Sequence, residues 1–542
     1  MAQFGFCALL LFYFLFSGLV HHIKTHIQKK SKTAEKGQPN FIIILADDIG
    51  WGDLWVKRPD NSTPTPWLDS LMLMGKRFTD FHSPASICSP SRAALLTGRH
   101  GLRNGVTHNF ADGSVGGLPL TETTFAQVLH DAGYYTAMIG KWHLGHNGSY
   151  SPVHRGFDYY FGIPYSNDMG CTDKPGLDLP SCPPCIRHHY TSRKHDQCYS
   201  KVALPLFENE TIVEQPLDTW SLKDRYAAVA VTQIKTASVY RKQPFLLYVA
   251  LAHMHVPLFH NAFLNVTTPD PYTASLSDMD SLVGTIMQAV SDELLENTLI
   301  WFTGDNGPWE QKCQFAGNVG PFVGRWQTSR GGGSAKRTTW EGGHRVPTVV
   351  AWPKRIKPNT TCRALLSGLD IFPTILSLAG LRPPSDRRYD GIDITDILLN
   401  DSDTGHKSLM HPNSGAAGQF GDLQTVRLKH HKAFYLTGGS EACGGGSGQQ
   451  QYHNPPLIFD LSQDEAEESP LIPESEEYRS ILRDVERERE ALLWDIATDK
   501  VSTADYTTVP AAVPCCQPRN PACRCHSLKR GQWARPSPQS CL

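Results

Sequence analysis

Four uninterrupted apolar runs stand out from the mixed sequence around them. They cover residues 41–46, 134–139, 245–252 and 298–304. An apolar run without alternation is typical of a strand that is buried on both faces of a largely parallel sheet. The pattern therefore predicts an α/β fold organised around a central sheet.

Polar residues suited to chemistry follow each run, where the carboxyl end of the strand would lie. They are Asp47 and Asp48, then Lys141 and His143, then His253 and His255, and finally Asp305 and Asn306. In open α/β sheets, ligands bind at the carboxyl ends of the strands. The repetition predicts one functional site at that edge of the sheet.

Asp47 and Asp48 are adjacent carboxylates, which repel one another unless a cation holds them. A hard divalent cation is the best partner for oxygen ligands of this kind. Asp305 and Asn306 also offer only oxygen, a donor set that favours calcium or magnesium over zinc. Calcium is preferred because it tolerates an irregular cage. Either segment could instead be a plain turn, since both are rich in turn-forming residues.

The character of the sequence changes after about residue 385, where apolar runs become short and glycines at 438–439 and 444–446 interrupt them. We expect a catalytic domain over 39–384 and a smaller domain over 385–542, built as an antiparallel sheet with a packed helix. That helix is predicted over 476–496. Its expected buried stripe is Leu482, Val485, Leu492, Leu493 and Ile496. Another amphipathic helix is predicted over 118–132.

An apolar run at residues 4–20 has the length of a signal-peptide core, so residues 1–20 are predicted to be a signal peptide. No later run is long and apolar enough to span a membrane. Apart from Cys7 and Cys88, twelve cysteines remain, an even number that is compatible with disulfides. The pair Cys182 and Cys185 could instead be redox-active, and either cysteine cluster, 171–198 or 515–525, could hold zinc. Sequons for glycosylation occur at Asn61, Asn147, Asn209, Asn265, Asn359 and Asn400.

The formal net charge is −2, which gives no strongly basic surface and no indication of a nucleic-acid partner. The chain also has 23 histidines. In an acidic compartment these would make the surface positive, which would suit a polyanionic substrate. The alternative is that many of the histidines are structural.

The segment from Cys88 to Gly98 carries the most specific signal. Pro90 suits the first turn of a helix, and Gly98 suits its end. Cys88 is therefore expected just before a helix N-terminus, where backbone N–H groups favour an anion. Arg92 adds a cation about one turn further on.

The string Cys-x-Pro-Ser-Arg followed by Leu-Thr-Gly resembles the signature of the type I sulfatases, and the resemblance extends from about residue 39 to 525. It implies an alkaline-phosphatase-like α/β sandwich with a large mixed, mostly parallel sheet. It also implies that Cys88 is oxidised to formylglycine by the formylglycine-generating enzyme. The hydrated aldehyde would attack the sulfur of a sulfate ester and then release sulfate by elimination.

The resemblance assigns roles to residues at matching positions. Calcium ligands would be Asp47, Asp48, modified Cys88, Asp305 and Asn306. Catalytic residues would be Cys88, Arg92, Lys141, His143, His255 and Lys336. Sulfate would be bound by Lys141, Ser166, His255 and Lys336. The match over residues 338–343 identifies Lys336 as the counterpart of the family's lysine. In the family that lysine is usually flanked by glycines, which are replaced here by Ala335 and Arg337. The spacing to Pro257 favours His255 over His253.

Residues 169–173, 306–309 and 515–516 are closest to one lysosomal member of that family. This likeness implies a sulfated glycan substrate, namely the 3-O-sulfate of glucosamine in heparan sulfate. It implies a lysosomal location, reached through the secretory pathway, with secretion as a second destination. The alternatives are a phosphodiesterase or phosphatase of the same superfamily and an inactive lectin for sulfated glycans. The cysteine and the oxygen-only ligand set disfavour a phosphatase.

Overall fold

A ten-stranded mixed sheet forms the centre of the larger part of the molecule. The structure is a computed structural model that describes residues 37–54, 65–172, 202–258, 270–516 and 523. Across the sheet the strands are β11 (Thr360–Cys362), β2 (Lys76–Phe78), β10 (Thr348–Ala351), β9 (Thr298–Gly304), β1 (Asn40–Ala46), β8 (Phe245–Ala250), β4 (Tyr135–Gly140), β5 (Tyr159–Gly162), β6 (Leu206–Glu208) and β7 (Thr211–Glu214). The five neighbours β9, β1, β8, β4 and β5 run parallel, and all of them except β5 are strands that the apolar runs predicted.

Both faces of this sheet are covered by helices. Along β1, the side chains of Ile42 and Ile44 enter one apolar core, whereas those of Phe41 and Ile43 enter the other. The first core is covered by α1 (Pro66–Met74), α5 (Leu222–Lys235) and α6 (Pro271–Ala289). The second is covered by α2 (Cys88–Thr97), α4 (Phe125–Asp131), α10 (Ile371–Leu378) and α11 (Thr395–Leu399). The fold is the predicted α/β sandwich.

The remaining elements of the larger part are short. A two-stranded sheet pairs β3 (Phe81–His82) with β12 (Leu366–Ser367). Single helical turns are α3 (Gly101–Asn104), α7 (Asp292–Leu295), α8 (Arg325–Thr328) and α9 (Glu341–His344). Further 3-10 turns cover Trp51–Asp53, Gly148–Tyr150, Pro152–His154, Thr219–Ser221, Glu310–Phe315, Gly368–Asp370 and Pro510–Ala512, and a π-helical turn covers Thr236–Arg241.

A four-stranded antiparallel sheet follows in the chain, in the order β13 (Ser408–Pro412), β14 (Leu423–Leu428), β15 (His431–Thr437) and β16 (Gln451–Asp460). One face packs against helix α12 (Glu476–Ala497) through Tyr478 and Val485. The other face carries Phe434 and Phe459, which pack on Trp340 of the larger part. The expected small sheet with a packed helix is therefore present.

Buried charges join the small sheet to the larger part. Lys432 of β15 is fully buried, and its Nζ lies 2.7 Å from Oε1 of Glu341 and 3.6 Å from Oε1 of Glu467. Arg345 donates two hydrogen bonds, of 2.9 and 2.7 Å, to the other oxygen of Glu341. Charges this deeply buried are stable only as a paired set. The set we call the Glu341 network consists of Glu341, Arg345, Lys432 and Glu467.

Two helix predictions need correction. The helix expected over 118–132 is shorter, Phe125–Asp131, because Thr124 and Gln127 form a capping box that fixes its start. In α12, Leu493 is exposed and the stripe shifts toward the N-terminus, to Tyr478, Ile481, Leu482 and Val485. The reason is that only the first half of α12 lies over the small sheet.

No helix within the described ranges is long and apolar enough to cross a membrane. The predicted signal peptide, residues 1–20, lies outside the described residues.

Candidate active site

The polar residues that follow β1, β4, β8 and β9 meet at one edge of the sheet. Asp47, Asp48, Lys141, His143, His255, Asp305 and Asn306 are all buried there, together with Cys88, Arg92, Ser166 and Lys336. His253 is buried too, but the cluster of ligand-bearing side chains contains His255 and not His253. The structure thus brings together the residues for which the sequence predicted a role in catalysis, sulfate binding or metal binding. The four whose ligand atoms lie within 4.8 Å of one another, however, include His255 and not the predicted ligand Asp305.

Sharp backbone turns place these side chains. Asp48 and His143 have φ of 58°, and Met254, between the two histidines, has φ of 81°. Such left-handed conformations cost roughly 1–3 kcal/mol for residues other than glycine and are concentrated at functional sites. At Gly140, where φ is 107°, an added Cβ would lie 1.8 Å from the carbonyl oxygen of Ala250. Position 140 therefore requires glycine. Strand β4 ends there, and His143, with its positive φ, lies in the turn that follows.

Cys88 is the first residue of α2, and Ile87 before it is the N-cap. Cys88 was expected just before the helix, so the helix begins one residue earlier than expected. Gly98 ends this helix in a left-handed conformation. The Sγ atom lies 3.6 Å from Oδ1 of Asp47 and 3.3 Å from Nζ of Lys141. Burial raises the pKa of the Cys88 thiol to about 12. As a cysteine, residue 88 is therefore protonated at physiological pH.

Arg92 connects the helix to the strand ends. Its Nε and Nη2 donate to Oδ2 of Asp305 at 2.9 and 2.7 Å, and its Nη1 donates to the carbonyl oxygen of Lys141 at 2.8 Å. The same guanidinium lies 3.3 Å from Asp47. Because these hydrogen bonds are charge-assisted and fully buried, Arg92 fixes the position of α2 relative to β1 and β9.

Two lysines pair with the first two carboxylates. Lys141 Nζ lies 2.6 Å from Oδ2 of Asp47 and 3.3 Å from Oγ of Ser166. Lys336 Nζ lies 2.6 Å from Oδ1 of Asp48. Burial alone would raise the pKa of Asp47, but Lys141 and Arg92 hold it well below its ordinary value. With Asp168, which lies near Lys141 and Lys336, four carboxylates face three cations, so a divalent ion would make the cluster positive and attractive to an anion.

The donor atoms fit such an ion. Ligand atoms of Asp47, Asp48, Cys88 and His255 lie within 4.8 Å of one another. Oδ1 of Asn306 is buried and has no hydrogen-bond partner among the described residues, although its Nδ2 donates to Asp48 at 2.7 Å. A buried acceptor of this kind is costly unless something fills its lone pairs. The carboxylate and amide oxygens favour a hard cation.

The two site histidines have different partners. His143 has one ring nitrogen, Nε2, 3.0 Å from the carbonyl oxygen of Phe110, while Nδ1 has no hydrogen-bond partner in the described part of the chain. Burial and the cations Lys141 and Arg92 hold the pKa of His143 well below its ordinary value. His255 has Nδ1 2.5 Å from the carbonyl oxygen of Val256 and Nε2 3.6 Å from Asp48. A neutral His143 with a free nitrogen can accept a proton.

Comparison with known proteins agrees with this geometry. The sulfatase family profile matches residues 39–381, and the profile for the C-terminal region of aryl-sulfatase matches residues 404–525. The chain belongs to the sulfatase family. It is 56% identical to arylsulfatase G of Rattus norvegicus over 96% of this chain and 98% of that protein. It is 56% identical to the human arylsulfatase G over 91% and 94%, and 39% identical to human arylsulfatase A over 80% and 83%.

Solved structures show the same fold. PsFucS1 sulfatase from Pseudoalteromonas sp. matches with a TM-score of 0.73 at 24% identity, over 89% of this chain and 96% of that one. Ps i-CgsB matches with a TM-score of 0.64 at 26% identity, over 84% and 93%. The sulfatase is therefore an alkaline-phosphatase-like α/β enzyme that hydrolyses sulfate esters.

Two residues of the sulfatase site, Asp168 and Trp309, were not predicted. The Ser166 hydroxyl hydrogen-bonds to Asp168, whose pKa lies below its ordinary value because His255, Ser166 and Lys141 outweigh the effect of burial. Trp309 lies beside His255, with ring centroids 5.4 Å apart. Asp168 follows Ser166 by two residues and Trp309 follows Asn306 by three, but neither residue type signals a site by itself.

The peripheral predictions for the sulfatase have mixed outcomes. Asn147, Asn209, Asn359 and Asn400 are exposed, while Asn61 and Asn265 lie outside the described residues. Disulfides join Cys313 to Cys443 and Cys515 to Cys523, but Cys362 is buried and free, so not all twelve remaining cysteines are paired. Cys182, Cys185, Cys198 and Cys525 lie outside the described residues.

Proposed function

We propose that this sulfatase removes the 3-O-sulfate of glucosamine in heparan sulfate inside the lysosome, using calcium and a formylglycine formed from Cys88. The observation that carries the proposal is the buried cluster in which Cys88 adjoins Asp47 and Lys141. The 56% identity to proteins named arylsulfatase G supports the choice of substrate and compartment, because the sequence resemblance implied both.

Asp47, Asp48, Asp305 and Asn306 would hold the calcium ion with modified residue 88. When bound, calcium would offset the charge of the sulfate oxygens, and the hydrated aldehyde would supply one hydroxyl to attack sulfur and a second from which sulfate is eliminated. Arg92 keeps α2 in place through Asp305, which fixes where the oxygens of residue 88 point. Cys88 in its unmodified state offers a buried, protonated thiol instead.

The remaining side chains bind sulfate and move protons. Lys141 and Lys336 neutralise the sulfate oxygens. Ser166 hydrogen-bonds to sulfate by turning its hydroxyl away from Asp168, to which it donates when no substrate is bound. His255 or Lys336 protonates the leaving oxygen of the sugar. The unpartnered Nδ1 of His143 takes up the proton released from residue 88 during elimination.

The cations of the site attract a polyanionic glycan, and the buried histidines add nothing to the charge of the surface. Nine histidines of the described residues are buried: His82, His100, His143, His253, His255, His344, His411, His431 and His453. Burial lowers the pKa of most of them, so they do not charge the surface at mildly acidic pH. The surface charge expected from histidines at acidic pH would therefore come from the others, such as the exposed His130, His154 and His430.

The maturation partner would be the formylglycine-generating enzyme, acting in the secretory pathway. Glycosylation of the exposed asparagines, Asn147, Asn209, Asn359 and Asn400, accords with that route. One solved relative, 26% identical to this chain, is described in complex with k-i-k-neocarrahexaose, which supports an oligosaccharide as the substrate class.

The test combines mass spectrometry with substrate comparison. The tryptic peptide containing residue 88 is weighed to detect conversion of the thiol to an aldehyde. The enzyme is then given heparan sulfate saccharides that differ only in carrying the glucosamine sulfate at O3 or at O6. We expect an aldehyde and selective release of the 3-O-sulfate. An unmodified cysteine in active enzyme, or equal release from both saccharides, would contradict the proposal.

A further inference from the structure

A polar pocket opens next to Lys336, and residues from both parts of the molecule form it. The cavity has a volume of about 130 Å³. Trp309, Gln311 and Arg337 line one side, and Ser440 and Glu441 from the segment after β15 line the other. Since Lys336 lines this pocket and also contacts Asp48 in the active site, the pocket lies beside the place where sulfate would bind.

Covalent and hydrogen bonds hold the two walls together. The disulfide Cys313–Cys443 joins the turn after Trp309 to the segment after Glu441. Gln311 hydrogen-bonds to the Glu441 carboxylate and also accepts a hydrogen bond of 3.0 Å from the indole nitrogen of Trp309. The pocket is therefore preformed, which favours recognition of a ligand of defined shape.

Arg337 is the unusual residue of this pocket. Its φ is 76°, a conformation that glycine adopts freely and arginine does not, and glycine is the usual residue here in the resembling family. The guanidinium carbon lies 5.2 Å from the Trp309 ring centroid, and the side chain is exposed. Within the described ranges it forms no ion pair. Backbone strain at a residue such as Arg337, an unpaired cation beside an active site, indicates that the cation has a ligand.

We propose that this pocket is a sugar subsite in which Arg337 binds a second anionic group of the glycan, while the scissile sulfate lies at residue 88. The inference rests on the proposed function and adds the feature that selects the substrate. Lys336 Nζ lies 4.7 Å from the Trp309 centroid, so the two cations are less than 10 Å apart. One sugar residue with two anionic substituents, or two linked residues, can bridge that separation.

The other pocket residues suit a sugar. Ser440 and Glu441 offer a hydroxyl and a carboxylate for sugar hydroxyl groups, and Trp309 offers an aromatic edge. The second anion is a sulfo group on the glucosamine nitrogen or the carboxylate of a linked uronate. Both pair with guanidinium in the same bidentate way.

The first experiment compares Arg337→Gly with the control Lys354→Gly. Lys354 also has positive φ, of 68°, and is an exposed cation, but it follows β10 at the opposite edge of the sheet from the site. The measured quantity is the ratio of kcat/KM for the dianionic saccharide to kcat/KM for a simple aryl sulfate. We expect Arg337→Gly to lower this ratio about tenfold, through KM, because a charge-assisted bidentate contact is lost. The control should leave it unchanged.

The second experiment measures binding without turnover. In a Cys88→Ala background, affinities are measured by calorimetry for glucosamine 3-sulfate carrying an N-sulfo or an N-acetyl group, each alone and linked to a uronate. If Arg337→Gly weakens binding of the N-sulfo ligands but not of the N-acetyl ligands, the sulfo group is the partner of Arg337. If it weakens binding only of the ligands linked to a uronate, the carboxylate is the partner. An Arg337→Gly effect of equal size for all four ligands, or no effect, overturns the subsite.

The two experiments also separate the subsite from the proposed function. Binding that depends on Arg337 and the second anion, without any sulfate release by the wild-type enzyme, would refute the proposed function and leave the subsite standing. Normal release of 3-O-sulfate with no dependence on Arg337 would refute the subsite alone.

Discussion

Replacing Lys432 by methionine should destabilise the protein strongly, and more at alkaline than at acidic pH. The ammonium group of Lys432 is fully buried between Glu341 and Glu467, at 2.7 and 3.6 Å. Methionine fills a similar volume but leaves two buried carboxylates with one cation fewer. Removing one partner from a buried charged set costs about 3–5 kcal/mol. We therefore expect the free energy of unfolding at pH 8 to fall by about that amount.

The pH dependence follows from Glu467. Burial raises the pKa of Glu467 to about 7, above its value in the unfolded chain. A carboxyl group with a raised folded pKa is neutral in the folded protein below that pKa and charged above it. At pH 5 Glu467 is therefore protonated and needs no cation, whereas at pH 8 it is charged. The loss caused by Lys432→Met should accordingly be smaller at pH 5.

Urea unfolding at pH 5 and pH 8 measures both effects. The matched control is Lys407→Met in the small domain, since Lys407 is exposed and pairs with Glu488 on the surface. Surface pairs contribute about 0–1 kcal/mol. Equal losses for the two variants, or a larger loss for Lys432→Met at pH 5 than at pH 8, would refute the account of the Glu341 network.

Three further predictions concern the active site and pH. Cys88→Ser keeps one hydroxyl but lacks the second from which sulfate is eliminated, so we expect at most one slow turnover and a stable sulfate ester on the peptide, measured as sulfate released per enzyme and by peptide mass. Repeated turnover near the wild-type rate would contradict it. Asp305→Ala should abolish turnover and calcium retention after dialysis, because Asp305 anchors Arg92 and would bind the ion; full activity in chelator would rule the calcium site out. Burial lowers the pKa of His406, but the carboxylate of Asp370, 2.7 Å from its Nε2, outweighs burial and raises that pKa above its ordinary value. The pair therefore stabilises the fold below about pH 6.5 and the effect is lost as pH rises through the folded pKa. His406→Gln should cost about 1–3 kcal/mol at pH 5 and little at pH 9 in urea unfolding, and equal costs would contradict the assignment.

The strands that carry the site could be predicted because they are buried on both faces. Strands β1, β4, β8 and β9 lie in the middle of the sheet, so their sequences are continuous apolar runs with polar residues at the carboxyl ends. The antiparallel strand β10 and the short β2 and β11 have no such runs. Their place in the sheet depends on pairing with distant segments, which local patterns do not reveal.

The residues that join the two parts of the molecule could not be predicted for the same reason. Lys432 and Glu341 are 91 positions apart, and either would pass for a surface charge in its own segment. The motif around Lys336 located that residue, but it did not show that Arg337 would adopt positive φ beside Trp309. Interactions between distant segments determine these contacts, so the hydrophobic periodicity of a single segment cannot predict them.

The burial of residue 88 has a consequence for how active enzyme is made. In the folded protein Cys88 has no exposed surface, because α2, β1 and the β4 turn enclose it. Any enzyme that oxidises this side chain must reach it before the central sheet closes. Conversion and folding are then competing rates, and the yield of active molecules depends on which is faster, not on the stability of the product. With formylglycine at residue 88 as the proposed nucleophile, molecules that fold before conversion would remain inactive.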